Sequence, residues 1–262
     1  MASKVTAPGL IRLKEKGQKI VSITAYDVLS ASLADEAGAD FILVGDSLGN
    51  VILGLDTTVP VSLDHIEHHV RAARAGCRHA LLVADLPFGS YQAGVADAVR
   101  SAVRLMKAGA EAVKLEGAYT DEVRALVKGG IPVMGHLGMT PQSVHSFGGF
   151  KVQGREEEAG QLIFDQAILL QEAGVFGIVL ELVPAQLAEK ISRNLRVPAI
   201  GIGAGAGCDG QIQVFHDIMG LNAEVFRHAK KYVEGRSLLL EGLKEYAAEV
   251  RSADFPTQEN SF

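Results

Sequence analysis

The stretch Glu36-Ala-Gly-Ala-Asp-Phe-Ile-Leu-Val-Gly-Asp46-Ser47 decides how the rest of the chain is read. Gly38 can end a helix in the left-handed conformation. Phe41-Ile-Leu-Val is an unbroken apolar run, the pattern of a strand buried on both faces of a parallel sheet. Asp46 stands where that strand should end. The same order recurs downstream: Gly76 leads through Ala80-Leu-Leu-Val to Asp85, Gly109 through Ala112-Val-Lys114-Leu to Glu116, and Gly174 through Gly177-Ile-Val-Leu to Glu181. Four parallel strands of this kind deliver four carboxylates to one end of a sheet.

Working outward, Pro8 to Gly17 reads as a short polar helix and Lys19 to Thr24 as a first strand. Ala25 to Ala37 is helical, with Leu29, Leu33 and Ala37 on one side. Ser62 can cap a helix running to Ala75 that turns Ile66, Val70 and Ala73 inward. Val95 to Ala108 is a helix, and Thr120 is placed as the cap of the next. Ile131 to His136 is a fifth strand, followed by a glycine-rich segment from Leu137 to Gly154; a long loop inside a compact domain is usually functional or disordered. Arg155 to Ala173 is read as amphipathic through Leu162, Ile163, Ile168 and Leu169. Ala185 to Leu195 is a helix, Val197 to Gly203 a seventh strand and Ile212 to Phe215 a short eighth. Ala223 to about Arg251 is helical and charged. This alternation predicts a (β/α)8 TIM barrel with its site at the C-terminal ends of the strands, an open doubly wound sheet being the alternative. The expected organisation is one domain over 1–262, with a C-terminal helical extension from about residue 222.

The chain has 262 residues, 48% of them hydrophobic and 21% charged, enough for one large core; an α/β barrel uses about 250 residues as one domain. A net charge of −6 argues against a nucleic-acid partner. No apolar run is long enough to span a bilayer, and Met1 to Gly17 lacks the apolar centre of a secretory signal, so a soluble, cytoplasmic protein is expected. Cys77 and Cys208 are isolated, which indicates neither a disulfide framework nor a structural zinc site.

Asp46, Asp85 and Glu116 offer only oxygen ligands, which suit Mg²⁺ or another hard cation; the plainer alternative is that each caps a following loop. Lys114 and Glu116 are two apart and point to the same side of a strand, either as a structural ion pair or as groups facing a ligand. Glu181 follows an apolar approach that could desolvate a carboxylate and raise its pKa, as suits a general base; a paired strand-end acid is the alternative. His136 ends a strand beside the acids and is expected to touch the ligand. His65, His68 and His69 are read as a solvated helix face. Gly201-Ile-Gly-Ala-Gly-Ala206 sits too late, and leads into no clear helix, for a dinucleotide fingerprint; a tight turn or close backbone approach fits better.

Five stretches in order resemble the ketopantoate hydroxymethyltransferase family: Leu43-Val-Gly-Asp-Ser-Leu48, Ala84-Asp-Leu-Pro-Phe-Gly-Ser-Tyr91, Val113-Lys-Leu-Glu-Gly117, Gly135-His-Leu-Gly-Met-Thr-Pro-Gln142, and Ile200-Gly-Ile-Gly-Ala-Gly205 with Cys208-Asp-Gly-Gln211. They span nearly the whole barrel, with Met139 and Leu55 as small departures. The resemblance implies Mg²⁺-dependent transfer of a hydroxymethyl group from 5,10-methylenetetrahydrofolate to α-ketoisovalerate, giving ketopantoate in pantothenate biosynthesis. It further implies one Mg²⁺ per subunit on Asp46 and Asp85, with Glu116 linked directly or through water. Asp46, Ser47, Asp85 and Lys114 are then the keto-acid contacts and Glu181 the catalytic proton acceptor. It also implies a homo-oligomer, a decamer of pentameric rings. Another Mg²⁺-dependent enzyme of α-keto-acid enolates, such as a carbon–carbon lyase, is one alternative reading; a non-catalytic ligand-binding barrel is another.

Overall fold

The apolar runs resolve into eight parallel strands that close on themselves in sequence order, β8 returning to pair with β1. The structure is a computed structural model that describes residues 4–222 and 226–262. Its first unit, Met1–Val214, holds the barrel, and its second is Phe215–Phe262. The chain runs through α1 (Ala7–Glu15), β1 (Ile20–Thr24), α2 (Val28–Glu36), β2 (Phe41–Val44), α3 (Leu48–Val51), α4 (Leu63–Gly76) and β3 (Leu81–Asp85). It continues with α5 (Val95–Ala108), β4 (Ala112–Glu116), α6 (Thr120–Lys128), β5 (Val133–Gly138), α7 (Val144–Phe147) and α8 (Glu157–Ala173). β6 (Gly177–Glu181), α9 (Ala185–Asn194), β7 (Ala199–Ile202) and β8 (Gly210–Gln213) complete the barrel. The second unit contains α10 (Phe215–Ile218) and α11 (Gly235–Ser252).

Successive strand residues point to opposite faces, and the core divides accordingly. Phe41, Leu43, Leu81, Val83, Ala112, Met134, Val179, Ile200 and Ile212 fill the barrel, with Ala7 and Leu10 of α1 packed against them. Ile42, Val44, Leu82, Val113, Leu115, Ile178 and Leu180 face outward against the helices. Ser62 caps α4 as expected, in a capping box with His65, and Ile66, Val70 and Ala73 are buried.

Several expectations are corrected. Leu29 and Leu33 do share one side of α2, but it is the outer one, 71% and 56% exposed. The inner side carries Ala31 and Ala34 because α2 and α4 approach closely: a Cβ on Gly76 would meet the Val28 carbonyl at 2.3 Å. In α8 the inward residues are Gly160, Ile163, Ala167, Leu170 and Ala173, whereas Leu162 and Leu169 are exposed. Thr120 opens α6 rather than capping it, and Tyr119 holds the cap position without a side-chain bond. The eighth strand starts at Gly210, because β8 must align with Ile200 on one side and Ile20 on the other. No helix separates it from β7. The connection needs only a tight turn, with Gly205 at φ +82, where a Cβ would collide with Ala185 of α9 at 2.5 Å. Asp209 secures this return by accepting from Ala199 N–H and Ser192 Oγ–H, and Lys14 of α1 reaches the same oxygen, all at 2.8 Å. The C-terminal helix begins at Gly235; the expected start at Ala223 lies outside the described residues.

Candidate active site

Strand parity builds the site. On β3 the inward series Leu81, Val83 ends at Asp85; on β4 Ala112 leads to Lys114 and Glu116; on β5 Met134 leads to His136; on β6 Val179 leads to Glu181. Apolar residues fill the lower rungs and ionisable residues the top one. Asp46 lies beyond the end of β2, where its backbone N–H donates to Asp85 Oδ2 at 3.1 Å.

Asp46, Asp85, Lys114, Glu116 and His136 are all buried. Lys114 Nζ lies 2.6 Å from Asp85 Oδ1, 3.3 Å from His136 Nδ1 and 4.0 Å from Glu116 Oε1. His136 Nδ1 is 3.3 Å from Glu116 Oε1, and its Nε2 is 3.3 Å from Glu181 Oε2. Neither His136 Nε2 nor Glu116 Oε1 has an aligned hydrogen bond, so these are close ion-pair contacts. Burial opposes charge throughout. It raises the Asp46 carboxyl well above the usual carboxylate range, with the facing Asp85 and Glu116 adding to it. Burial raises Asp85 too, although Lys114 pulls against it. For Lys114 the surrounding Asp85, Glu116 and Asp46 outweigh burial and hold the ammonium charged. Burial and Lys114 press the His136 imidazole toward neutrality, yet Glu116 and Glu181 prevail and lift it to about 9.

Residues that the sequence reading did not single out hold these groups in place. Gln142, on the turn Pro141–Ser143 after β5, donates through Nε2 to Asp46 Oδ2 and to the Leu86 carbonyl, both at 3.0 Å. Its backbone N–H donates to Glu116 Oε2 at 3.0 Å. The buried Tyr91 hydroxyl lies 2.9 Å from Gln142 Oε1 and accepts from Glu116 N–H at 3.1 Å. Tyr26, fully buried, places its hydroxyl 2.8 Å from Ser47 Oγ, and its carbonyl accepts from His69 Nδ1 at 2.6 Å. His69, half-buried, therefore supports the site from behind, whereas His65 and His68 are exposed as read, His65 completing the capping box with Ser62. Directly after Glu181, Leu182 adopts φ +46, a left-handed backbone that costs a non-glycine residue roughly 1 kcal/mol or more. Bonds from Leu182 N–H to Ile202 O and from Gln153 N–H to Leu182 O hold it there. Gly138, at φ +93, lets β5 pass β6 closely: a Cβ there would sit 2.3 Å from the Glu181 carbonyl.

Among the described residues, no group of three or more His, Cys, Asp or Glu side chains is spaced to hold a metal ion. What the site does offer is a pair of neighbouring, buried carboxylates, Asp46 and Asp85, whose mutual repulsion a cation would relieve. Mg²⁺ typically uses one or two carboxylates and completes its shell with water and substrate oxygens, so the pair fits that ion. Glu116 spends Oε2 on Gln142 N–H and Oε1 against His136.

A parallel barrel that converges buried carboxylates, a charged lysine and an imidazole on its C-terminal mouth defines an acid–base enzyme. The family model described as ketopantoate hydroxymethyltransferase matches residues 4–258. The chain belongs to that family, and it is a hydroxymethyltransferase. Similar proteins include the 3-methyl-2-oxobutanoate hydroxymethyltransferase of Moorella thermoacetica, 54% identical over 99% of this chain and 98% of that protein. That of Nitratidesulfovibrio vulgaris strain DP4 is 54% identical over 95% of this chain and 83% of the relative. Among solved structures, a phosphonopyruvate hydrolase complexed with oxalate and Mg²⁺ superposes with a TM-score of 0.63 at 14% identity, covering 98% of this chain and 93% of that one. A 2,3-dimethylmalate lyase gives 0.60 at 17%, covering 98% and 91%. These two share the barrel fold. Family membership sets aside the non-catalytic barrel, and the lyase likeness reaches no further than the fold. Among the described residues no helix is long and apolar enough to cross a membrane.

Proposed function

We propose that this enzyme transfers a hydroxymethyl group from 5,10-methylenetetrahydrofolate to 3-methyl-2-oxobutanoate, with Mg²⁺ held by Asp46 and Asp85. The observation that carries the chemistry is Glu181, a carboxylate on the rim of the buried cluster with its Oε2 3.3 Å from His136 Nε2. Relatives about half identical over nearly the whole chain act, by name, on this keto acid.

Bound Mg²⁺ would supply a Lewis acid for the keto and carboxylate oxygens of the substrate. Ser47 and Lys114 complete the keto-acid contacts with Asp46 and Asp85. Lys114 brings a permanent positive charge to a substrate that carries a carboxylate. Glu181 accepts the proton from C3 of the keto acid, and His136, protonated at neutral pH, keeps the Glu181 carboxylate in place. The C3 carbanion equivalent forms a carbon–carbon bond to the methylene carbon of the donor. Both carbon–nitrogen bonds that hold this methylene to the folate break, one replaced by the new carbon–carbon bond and the other by a carbon–oxygen bond to water. The two folate nitrogens take up the C3 proton and one proton of the water. The proton abstraction and carbon–carbon bond formation require no covalent enzyme nucleophile.

The test is a turnover assay with purified protein, 3-methyl-2-oxobutanoate and 5,10-methylenetetrahydrofolate, followed by mass spectrometry of the product. Formation of the hydroxymethylated keto acid only when the folate donor is present supports the assignment. Cleavage of a carbon–carbon bond without folate would replace it with the lyase reading.

A further inference from the structure

Gln142 has more polar contacts in the site than any catalytic step above requires. Its side chain is buried, and a buried amide needs partners for two donors and one acceptor oxygen. All are supplied. Nε2 donates to Asp46 Oδ2 and to Leu86 O at 3.0 Å each, while Oε1 lies 2.9 Å from the Tyr91 hydroxyl and 3.2 Å from Gln92 Nε2. The partners also fix which end is which: a flipped amide would set oxygen against the Leu86 carbonyl, which only accepts. The main-chain N–H of the same residue binds Glu116 Oε2 at 3.0 Å. One residue of the loop after β5 thus grips the carboxylates that end β2 and β4, together with the backbone after β3.

We propose that Gln142 is the positioning residue of the acidic cluster: it fixes the plane of the Asp46 carboxylate and anchors the loop after β5 on Glu116. With Oδ2 committed to Gln142, Oδ1 is the oxygen that Asp46 has left for a ligand. Tyr91 acts one step behind, holding the Gln142 amide and the Glu116 backbone together. A side chain that orients a ligating carboxylate contributes about 10–100-fold to affinity or activity, and that is the scale expected here.

The functional readout rests on the keto-acid reading above; the structural readout does not. The experiment compares wild type, Gln142→Met, which keeps the length and removes the amide, and Tyr91→Phe, which removes one hydroxyl from the same chain of contacts. Exchange of the C3 proton of 3-methyl-2-oxobutanoate into deuterated water is followed by NMR with Mg²⁺ present, well below the measured Tm of each protein. Crystal structures of wild type and Gln142→Met are solved alongside. The expected result is an exchange rate lowered about 10–100-fold in Gln142→Met and less, in the same direction, in Tyr91→Phe, with the Asp46 carboxylate rotated in the Gln142→Met crystal. A purely structural glutamine would lower Tm and leave exchange by the folded protein unchanged, and that outcome overturns the proposal. If wild type exchanges no C3 proton, the keto-acid reading fails, and the crystals alone decide: an unrotated Asp46 overturns the positioning role, a rotated one upholds it. Should Gln142→Met fail to fold, Tyr91→Phe decides by the same two measurements.

Discussion

His136 and Glu181 lie 3.3 Å apart, imidazole Nε2 to carboxylate Oε2, where the buried ion cluster reaches the barrel mouth. The contact ties the proposed base to a charged partner whose other nitrogen is engaged by Glu116. Glu181→Gln removes the base and leaves Asp46, Asp85 and Lys114 in place. It should lower turnover by about 10²–10⁴-fold, the usual contribution of a general base. C3 proton exchange should nearly vanish while the dissociation constant of the keto acid changes little, and wild-type exchange in this variant would remove Glu181 from the role.

The same contact predicts a pH dependence of stability. Held up to about 9 against 6.5 ordinarily, His136 binds its proton more tightly folded than unfolded. Its contribution is complete below about pH 6.5 and is lost as pH rises through about 9. Thermal melts between about pH 6 and 10 should show wild type losing Tm across that window, and His136→Gln losing correspondingly less. An identical alkaline decline in both proteins would show that another group titrates.

Metal dependence should follow the carboxylates. Chelator treatment is expected to abolish turnover and added Mg²⁺ to restore it. Asp46→Ala and Asp85→Ala should raise the Mg²⁺ concentration for half-maximal activity far more than Glu116→Ala, because Glu116 already spends its oxygens on Gln142 and His136. Full activity after chelation would contradict the whole assignment.

Both thiols should be inert in the native protein. Burial lifts Cys77 and Cys208 to about 11 each, so at pH 8 only about a thousandth is thiolate, before access is considered. Iodoacetamide should modify neither within an hour at pH 8 and both after denaturation, as read by intact mass. Rapid native labelling of either would show that its surroundings open.

The homo-oligomer implied by the family resemblance, a decamer, is an expectation for light scattering at working concentration. Among the described residues, Val21 on the outer face of β1 is 49% exposed, and α11 exposes Leu238, Leu239, Leu240 and Leu243 with no residue buried. Apolar surface of this extent is what subunit contacts normally cover. A monomeric mass would refute the expectation.

The strand ends were legible because an apolar run and a terminal carboxylate coincide at each. A left-handed glycine stands before them at Gly38, Gly109 and Gly174, whereas Gly76 is the last residue of α4 and serves the close contact with α2 instead. Period-two alternation then places Lys114 and Glu116 on one face, and the inner cluster confirms that this face is the barrel interior. Gln142 and Tyr91 gave no such signal. Their partners lie far away in sequence, Asp46 being 96 residues from Gln142, and a polar residue in a loop looks the same whether it is solvated or gripped. The outward leucines of α2 and α8 misled for a related reason: where two helices touch closely, alanine and glycine form the contact. The left-handed Leu182 had no local marker either, since the bonds that hold it come from β7 and from the loop after β5.

Closure of β8 onto β1 sets an order of events during synthesis. About 190 residues separate Ile20 from its partner Gly210, and at about 5–20 residues per second a ribosome needs on the order of ten to forty seconds to cover that distance. Throughout that interval β1 is an open strand edge, and the apolar side of α1, which later packs with the barrel interior through Leu10, has nowhere to go. An edge of this kind is a template for pairing with another chain. The nascent protein is therefore most exposed to misassembly at its beginning, and remains so until almost its last strand has left the ribosome.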